Sequence, residues 1–193
     1  MTKHGLIRFL QSVGPMTAAQ AEDVAGVFAE KTLAKNALLL PTGAVSNCYF
    51  FLEEGFLRAY AHDVDGNDVT TGFYAAGQVV FEVSSFFTRQ PSRECIQALT
   101  GCRGWSITFD QLNGLFHARP EFREFGRALL VRGYTALKDR MLAAVTETAA
   151  TRYEHLVRSH PTIAQHAPLK HIASYLGITD TSLSRIRKGP PKH

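Results

Sequence analysis

Seven short segments rich in β-branched and aromatic residues follow one another from Leu38 to Phe109: LLLP, NCYFFLEEG, FLRAYAHD, DVTTGFYAAG, QVVFEV, ECIQALTG and CRGWSITF. Turn signals separate them at Pro41–Gly43, Glu54–Gly55, Asp65–Gly66–Asn67, Ala76–Gly77, Pro91–Ser92 and Gly101. Short strands at this spacing predict an antiparallel barrel or sandwich. Asp65-Gly66 lies between two such runs and reads as a hairpin turn. Tyr49, Phe51, Phe56, Phe73 and Tyr74 then read as core or barrel-wall aromatics rather than a binding stripe.

Helical patterns flank this β-rich region. Residues 1 to about 36 are predicted helical, in two pieces broken at Pro15, with Thr17 opening TAAQAEDVAGVFAEK. Pro120 starts a long helical run with apolar residues every three or four positions, from Phe122 through Leu129, Leu137 and Met141 to Val145. About 28 helical residues at 1.5 Å rise span roughly 40 Å. One small domain cannot bury that length, so a partner helix from a second subunit is expected; packing on its own barrel is the alternative. After Thr148, TRYEHLVRSHP reads as a helix ended by Pro161, and TIAQHAP as a loop or short turn. The tail Gly189–His193 reads as a frayed end.

Leu169 to Lys188, LKHIASYLGITDTSLSRIRK, has the pattern of two short helices joined at Gly177. Ile172, Leu176, Ile178, Leu183 and Ile186 supply the apolar positions, and Ala173 is small where the helices cross. Gly177 can take positive φ, Thr179 is a good N-cap, and Asp180 suits a helix N-terminus. The second helix ends basic, with Arg185, Arg187 and Lys188. This is the sequence grammar of a DNA-binding helix-turn-helix.

Charge supports the same partner. Net charge is +4, but residues 149–193 carry seven Lys and Arg against two Asp and Glu, while residues 1–148 carry fourteen against fifteen. A basic segment on a near-neutral body suits a polyanion. The hydrophobic share of 45% is ample for a core. No run approaches the 18 to 20 or so apolar residues of a membrane span. The N-terminus lacks a secretory apolar region, and Cys48, Cys95 and Cys102 form no tight pair, so a reduced cytoplasmic setting is expected.

Other chemistries find little support in the sequence. There is no G-x-S-x-G, Walker loop or H-E-x-x-H, and no enzyme activity is expected. Glu53-Glu54, before Gly55, reads as a solvated pair. No metal set is predicted: the first 47 residues have no cysteine, and His155, His160, His166 and His171 lack partners at zinc spacing. His62 and His117 read as surface or structural histidines.

The order of β-roll, long helix and basic helix-turn-helix resembles the Crp/Fnr family of bacterial transcription regulators over nearly the whole chain. EEGFLRAYAHDVDGNDVTTGFYAAGQVV resembles the family's β-roll hairpins. SFFTRQPSRECIQAL lies where the family carries its phosphate-binding cassette. APLKHIASYLGITDTSLSRIRK is similar to the helix-turn-helix of a Bacteroidetes-type branch. The resemblance implies an α+β fold: an N-terminal antiparallel β-roll (a cyclic nucleotide-binding-like jelly roll) with flanking helices, a long dimerisation helix, and a C-terminal (winged) helix-turn-helix. Domain bounds of 1–117, 118–148 and 149–193 follow. It also implies a homodimer on a two-half-site operator in double-stranded DNA, with RNA polymerase as a further partner.

In cyclic-AMP-binding members, a Gly-Glu-Leu turn and an Arg-Ser-Ala turn hold the nucleotide. The matching stretches here are Phe81-Glu82-Val83 and Arg93-Glu94-Cys95. Glu82 and Arg93 are kept and could pair with each other. Phe81 puts bulk where backbone meets phosphate, and Glu94 puts a like charge beside an anion. The pocket is therefore expected to be degenerate, with no cyclic nucleotide cofactor; an unidentified small-molecule effector or an empty scaffold are the alternatives. By the same resemblance, Asp180, Thr181 and Arg185 face base edges, Thr179, Ser182 and Ser184 lie near phosphate or the groove wall, Arg187 and Lys188 are phosphate contacts or a solvated end, and Lys170 and His171 could touch backbone. Arg185 is the leading candidate for guanine readout. A different class of function remains open: a pseudo-cyclic-nucleotide-binding sensor whose C-terminal segment packs on protein instead of DNA.

Overall fold

The computed structural model describes residues 3–188. The N-terminal helices α1 (His4–Val13) and α2 (Ala18–Gly26) come first. Thr17 caps α2 in a reciprocal box with Gln20, satisfying two N-terminal backbone groups at once. The predicted helix does not run on to residue 36. It stops at Gly26, and Ala29–Leu33 is strand β1. The local sequence AEKTL has no strong strand preference; antiparallel pairing with Cys102–Ser106 decides its state.

The other strands are β2 (Leu38–Leu40), β3 (Cys48–Glu54), β4 (Phe56–His62), β5 (Asp68–Ala75), β6 (Gln78–Val80), β7 (Cys95–Ala98) and β8 (Cys102–Thr108). All seven predicted β segments therefore contain a strand. They form two antiparallel four-stranded sheets, ordered β1-β8-β3-β6 and β2-β7-β4-β5. Gly66 takes φ 82° in the β4–β5 hairpin, the conformation that its Asp-Gly signal requires.

The sheets enclose Leu40, Phe50, Leu52, Leu57, Ala59, Val80 and Ile96. Strand β3 is buried on both faces, because Tyr49 and Phe51 point outward into a second cluster with α1, α2 and later helices. Of the aromatics read as core, Tyr49, Phe51 and Phe56 are fully buried and Phe73 and Tyr74 partly so. Glu53 and Glu54 are not simply solvated: Glu53 accepts the Trp105 indole N–H, and Glu54 pairs with Arg103 at 2.5 Å.

Two helices within or beside the roll lay outside the predicted pattern. Helix α3 (Val83–Thr88) is capped by Glu82, and α4 (Phe109–Ala118) by Thr108 in a second box with Gln111. Helix α5 (Pro120–Thr146) then runs 27 residues, as its periodicity predicts. Phe122 and Phe125 bury against the roll's helices, whereas Leu130, Val131, Tyr134, Leu137, Met141 and Val145 stay exposed.

Helix α6 (Ala149–Ser159) follows. TIAQHAP is not a loop: Pro161, preset for a first helical position, starts α7 (Pro161–His166). Helices α8 (Leu169–Leu176) and α9 (Asp180–Lys188) close the described chain. Among the described residues no strand follows β8, so the wing expected beside the helix-turn-helix is not formed there. The tail Gly189–His193 lies outside the described residues.

Candidate nucleic-acid interface

Helix α8 ends where Gly177 adopts φ 68°. Its N–H donates to Ser174 O at 3.1 Å, and Ile178 N–H donates to Ala173 O at 3.0 Å. These two bonds satisfy carbonyls that a helix end would otherwise orphan. Thr179 then accepts Ser182 N–H at 3.2 Å, which starts α9 with Asp180 in its first turn. The buried side of the pair is Ile172, Ala173, Leu176 and Leu183, with Ala173 and Leu183 at 0% exposure. A side chain larger than Ala173 would push the helices apart.

That packing fixes which residues face water. Thr179, Asp180, Thr181, Ser184, Arg185, Arg187 and Lys188 are exposed, and Ser182 is half-buried. Lys170 is exposed at the start of α8. His171 is not available to a DNA backbone: it is buried at 8% and turned toward the roll.

The helix-turn-helix is seated on the roll. Phe56, Phe73, Ala75 and Leu99 of the roll pack with Leu156, Ile163, Ile172 and Leu176. Arg58 of β4, itself 4% exposed, donates to His171 Nδ1 at 2.8 Å and to Asp68 at 2.6 Å. Arginine can only donate, so His171 Nδ1 is the acceptor and the ring is neutral. Burial, reinforced by the Arg58 and Lys170 charges, lowers the His171 pKa to about 4. Thr70 N–H donates to Ser174 Oγ at 3.1 Å, and Ser174 Oγ donates to Thr70 Oγ1 at 3.0 Å. Arg152 donates to Ala144 O and Leu176 O, tying α6 to both neighbours. The sequence offered one signal for this junction: Arg58 interrupts an apolar strand, and such a charge needs buried partners.

The nucleotide-cassette residues lie around the start of α3 and the approach to β7. Glu82 accepts Ser84 N–H at 3.0 Å and Ser85 N–H at 2.5 Å, so its carboxylate caps α3. Among the described residues Glu82 and Arg93 form no ion pair. Arg93 is exposed, as is Val83. The Phe81 ring packs against Tyr49, Phe86 and Phe87. Cys95 is buried, its sulfur 3.2 Å from Thr42 N–H. Glu94 and Glu82 both lie near the buried Tyr74 phenol, whose pKa is pushed up to about 12, first by burial and then by the Glu94 charge. Arg140 of α5 reaches the same region: it donates to Thr71 O and stacks 4.9 Å from the Tyr175 ring centroid. The sequence pattern did not single out Arg140, which the helix periodicity marks only as a polar position.

A cavity of about 430 Å³ opens at the end of the roll, and neither Glu82 nor Arg93 lines it. Among the described residues there is no group of three His, Cys, Asp or Glu able to hold a metal ion, and no helix long and apolar enough to cross a membrane.

Residues 30–119 match the cyclic nucleotide-binding domain family. No curated protein matches the chain by sequence. Among solved structures, the c-di-GMP-responsive global regulator CLP of Xanthomonas campestris is 16% identical with a TM-score of 0.70, over 89% of this chain and 90% of that one. FixK2 of Bradyrhizobium japonicum is 18% identical with a TM-score of 0.72, over 84% and 83%. A CooA mutant of Carboxydothermus hydrogenoformans is 20% identical with a TM-score of 0.66, over 86% and 77%. The fold is thus a jelly-roll domain of cyclic nucleotide-binding type followed by a long helix and C-terminal helices, as in these solved structures.

Proposed function

We propose that the chain is a cytoplasmic, homodimeric, sequence-specific DNA-binding transcription regulator of the Crp/Fnr type. The observation that carries this reading is the geometry of α8, Gly177 and α9. Their apolar residues are packed inward, and the opposite side leaves Thr179, Asp180, Thr181, Ser184, Arg185, Arg187 and Lys188 exposed, with three cations toward the end of α9. Such a face fits the major groove: Arg185 reads guanine O6 and N7, and Thr179, Ser182, Ser184, Arg187, Lys188 and Lys170 meet the wall and phosphates. Asp180 and Thr181 address neighbouring base edges. The exposed apolar stripe of α5 supplies the two-fold seam, so α9 acts twice, on a site with two half-sites. Residues 1–117 serve as the effector-type unit, 118–148 as the seam and 149–193 as the DNA-binding unit.

Its roll does not answer to cyclic AMP, because Phe81 puts bulk where backbone would meet the phosphate and Glu94 carries a like charge into the cassette. The protein acts by binding and catalyses no reaction. Selection of bound duplexes from random DNA tests the reading. We expect a palindromic consensus. Arg185→Ala should lose selectivity at one position per half-site, by roughly 1–3 kcal/mol of discrimination, and keep salt-sensitive nonspecific binding. A full chain that selects no sequence and shows no salt-dependent retention on duplex DNA would refute it.

A further inference from the structure

The 430 Å³ cavity at the end of the roll is lined by Phe81 of the cassette but by neither Glu82 nor Arg93, and by no residue of α9. Its size falls within the range of small-ligand pockets. Lys31, Cys48 and Ser106, from β1, β3 and β8, line its floor. Leu33 packs on the roll interior, and Lys31, two residues earlier on β1, shares that face. Its partner across the ladder is Gly104, which offers no side chain. A Cβ there would meet the Phe50 ring at 2.9 Å and Phe51 O at 2.0 Å.

Lys31 is therefore a cation on an inward strand face. No Asp or Glu lines the cavity, and among the described residues Lys31 forms no ion pair. The adjacent Glu30 is on the other face, 3.9 Å from Arg103. Lys31 is half-buried as a residue and, among the described residues, lacks a counter-ion, which a bound anion would supply. The facing wall is apolar, formed by Leu40 and Ile96 of the second sheet with Phe81. The loop over the cavity is already fixed. Arg89 donates to Ser46 O at 2.7 Å and to Asn47 Oδ1 at 3.1 Å, and Ser46 N–H donates to Ser85 Oγ at 2.8 Å. A preset loop lowers the ordering cost of binding. Thr108 and Gln111 border the cavity, but they use their polar ends on each other in the α4 capping box. One cation facing an apolar wall suits a single carboxylate on an apolar body better than a phosphate diester.

We propose that the end of the roll is a binding site for a small amphipathic monocarboxylate, with its carboxylate at Lys31 and Ser106 and its apolar part against Leu40, Ile96 and Phe81. The site stands independently of the DNA-binding reading.

Cys48 provides the readout. It lines the cavity and is half-buried, while Cys95 and Cys102 are buried. Burial raises its thiol, partly offset by Lys31, so labelling is run near pH 8.5, at about the free-thiol pKa. The rate of Cys48 alkylation by iodoacetamide is followed by mass spectrometry on the full chain, with decanoate or decanol as probe. Decanoate should protect Cys48 saturably, and decanol about tenfold or more weakly, as a charged hydrogen-bonded contact implies. Lys31→Met should bring decanoate down to the level of decanol, Lys31→Arg should keep its advantage, and Ala44→Phe should block both by filling the cavity. Absence of decanoate protection, or equal protection by decanoate and decanol, overturns the proposal. So does undiminished decanoate protection in Lys31→Met. The native-chain comparison of the two probes decides the matter if a variant fails to fold.

Discussion

Arg58 shows how one residue couples two parts of this molecule. It sits within an apolar strand yet is almost fully buried, held by Asp68, Gln97 and His171 and stacked 4.0 Å from the Tyr60 ring centroid. Breaking such a buried cluster from one side leaves a charge without compensation. His171 makes the junction pH-dependent. Its ordinary pKa of 6.5 falls to about 4 when docked, so the undocked state binds the extra proton. The stabilisation is complete above pH 6.5 and is lost as pH falls toward 4. Arg58 and Lys170 oppose the proton, while Asp68 and Asp180 favour it more weakly. The protection factors of α8 amides, corrected for the slower intrinsic exchange at low pH, should fall between pH 7 and pH 5, and His171→Leu should flatten that response. At Gly177 the constraint is purely conformational. A Cβ there meets nothing within 4 Å, but φ is 68°. Gly177→Ala should cost about 1 kcal/mol in denaturant unfolding, without a packing penalty.

At the level of elements, helix ends were more legible than helix interiors. Thr17 and Gln20, like Thr108 and Gln111, carry the three-residue spacing of a capping box. The first marks the start of α2, and the second marks the start of α4 directly after a strand pattern. Strand β1 was not legible, because its pairing partner β8 lies some seventy residues further on. Helix α5 divides at about Leu129: Phe122 and Phe125 are buried, and the apolar residues beyond are exposed at values such as 58% for Leu137 and 59% for Met141. If a second copy covers that stripe, Leu137→Glu together with Met141→Glu should convert dimer to monomer in sedimentation velocity and leave the far-ultraviolet circular dichroism almost unchanged. DNA affinity should fall sharply, because the two half-sites would no longer be bound as one.

The whole molecule is three apolar clusters: the roll interior, the roll against its helices, and the helix-turn-helix against the roll. The third includes a stacked Phe56–Phe73 pair at 5.7 Å and a Phe73–Tyr175 contact at 5.3 Å. It leaves the polar side of α9 exposed, so docking on the roll and presentation to a groove are compatible. Phe73→Ala should loosen the docked helices by roughly 1–3 kcal/mol, less than for a fully buried ring. A separate, earlier thermal transition for the C-terminal helices would register this. Calorimetry with cyclic AMP should show no micromolar binding, since Glu94 sets a like charge beside the phosphate and Phe81 puts a ring where backbone would meet it.

The sequence by itself determined the local choices. Runs rich in β-branched and aromatic residues between turn signals placed seven strands, apolar residues every three or four positions placed the long helix, Asp65-Gly66 placed a hairpin, and Gly177 with Thr179 placed the turn and cap of the helix-turn-helix. Each depends on neighbours within a few residues, which a linear reading can see. Only the tertiary structure decided the rest. It turned AEKTL into a strand, made Glu82 a cap instead of Arg93's partner, and faced His171 inward to Arg58. It also set Lys31 beside a cavity on the inner face of the roll. These outcomes depend on groups brought together from distant parts of the chain, where burial changes what a carboxylate, an imidazole or an ammonium needs beside it.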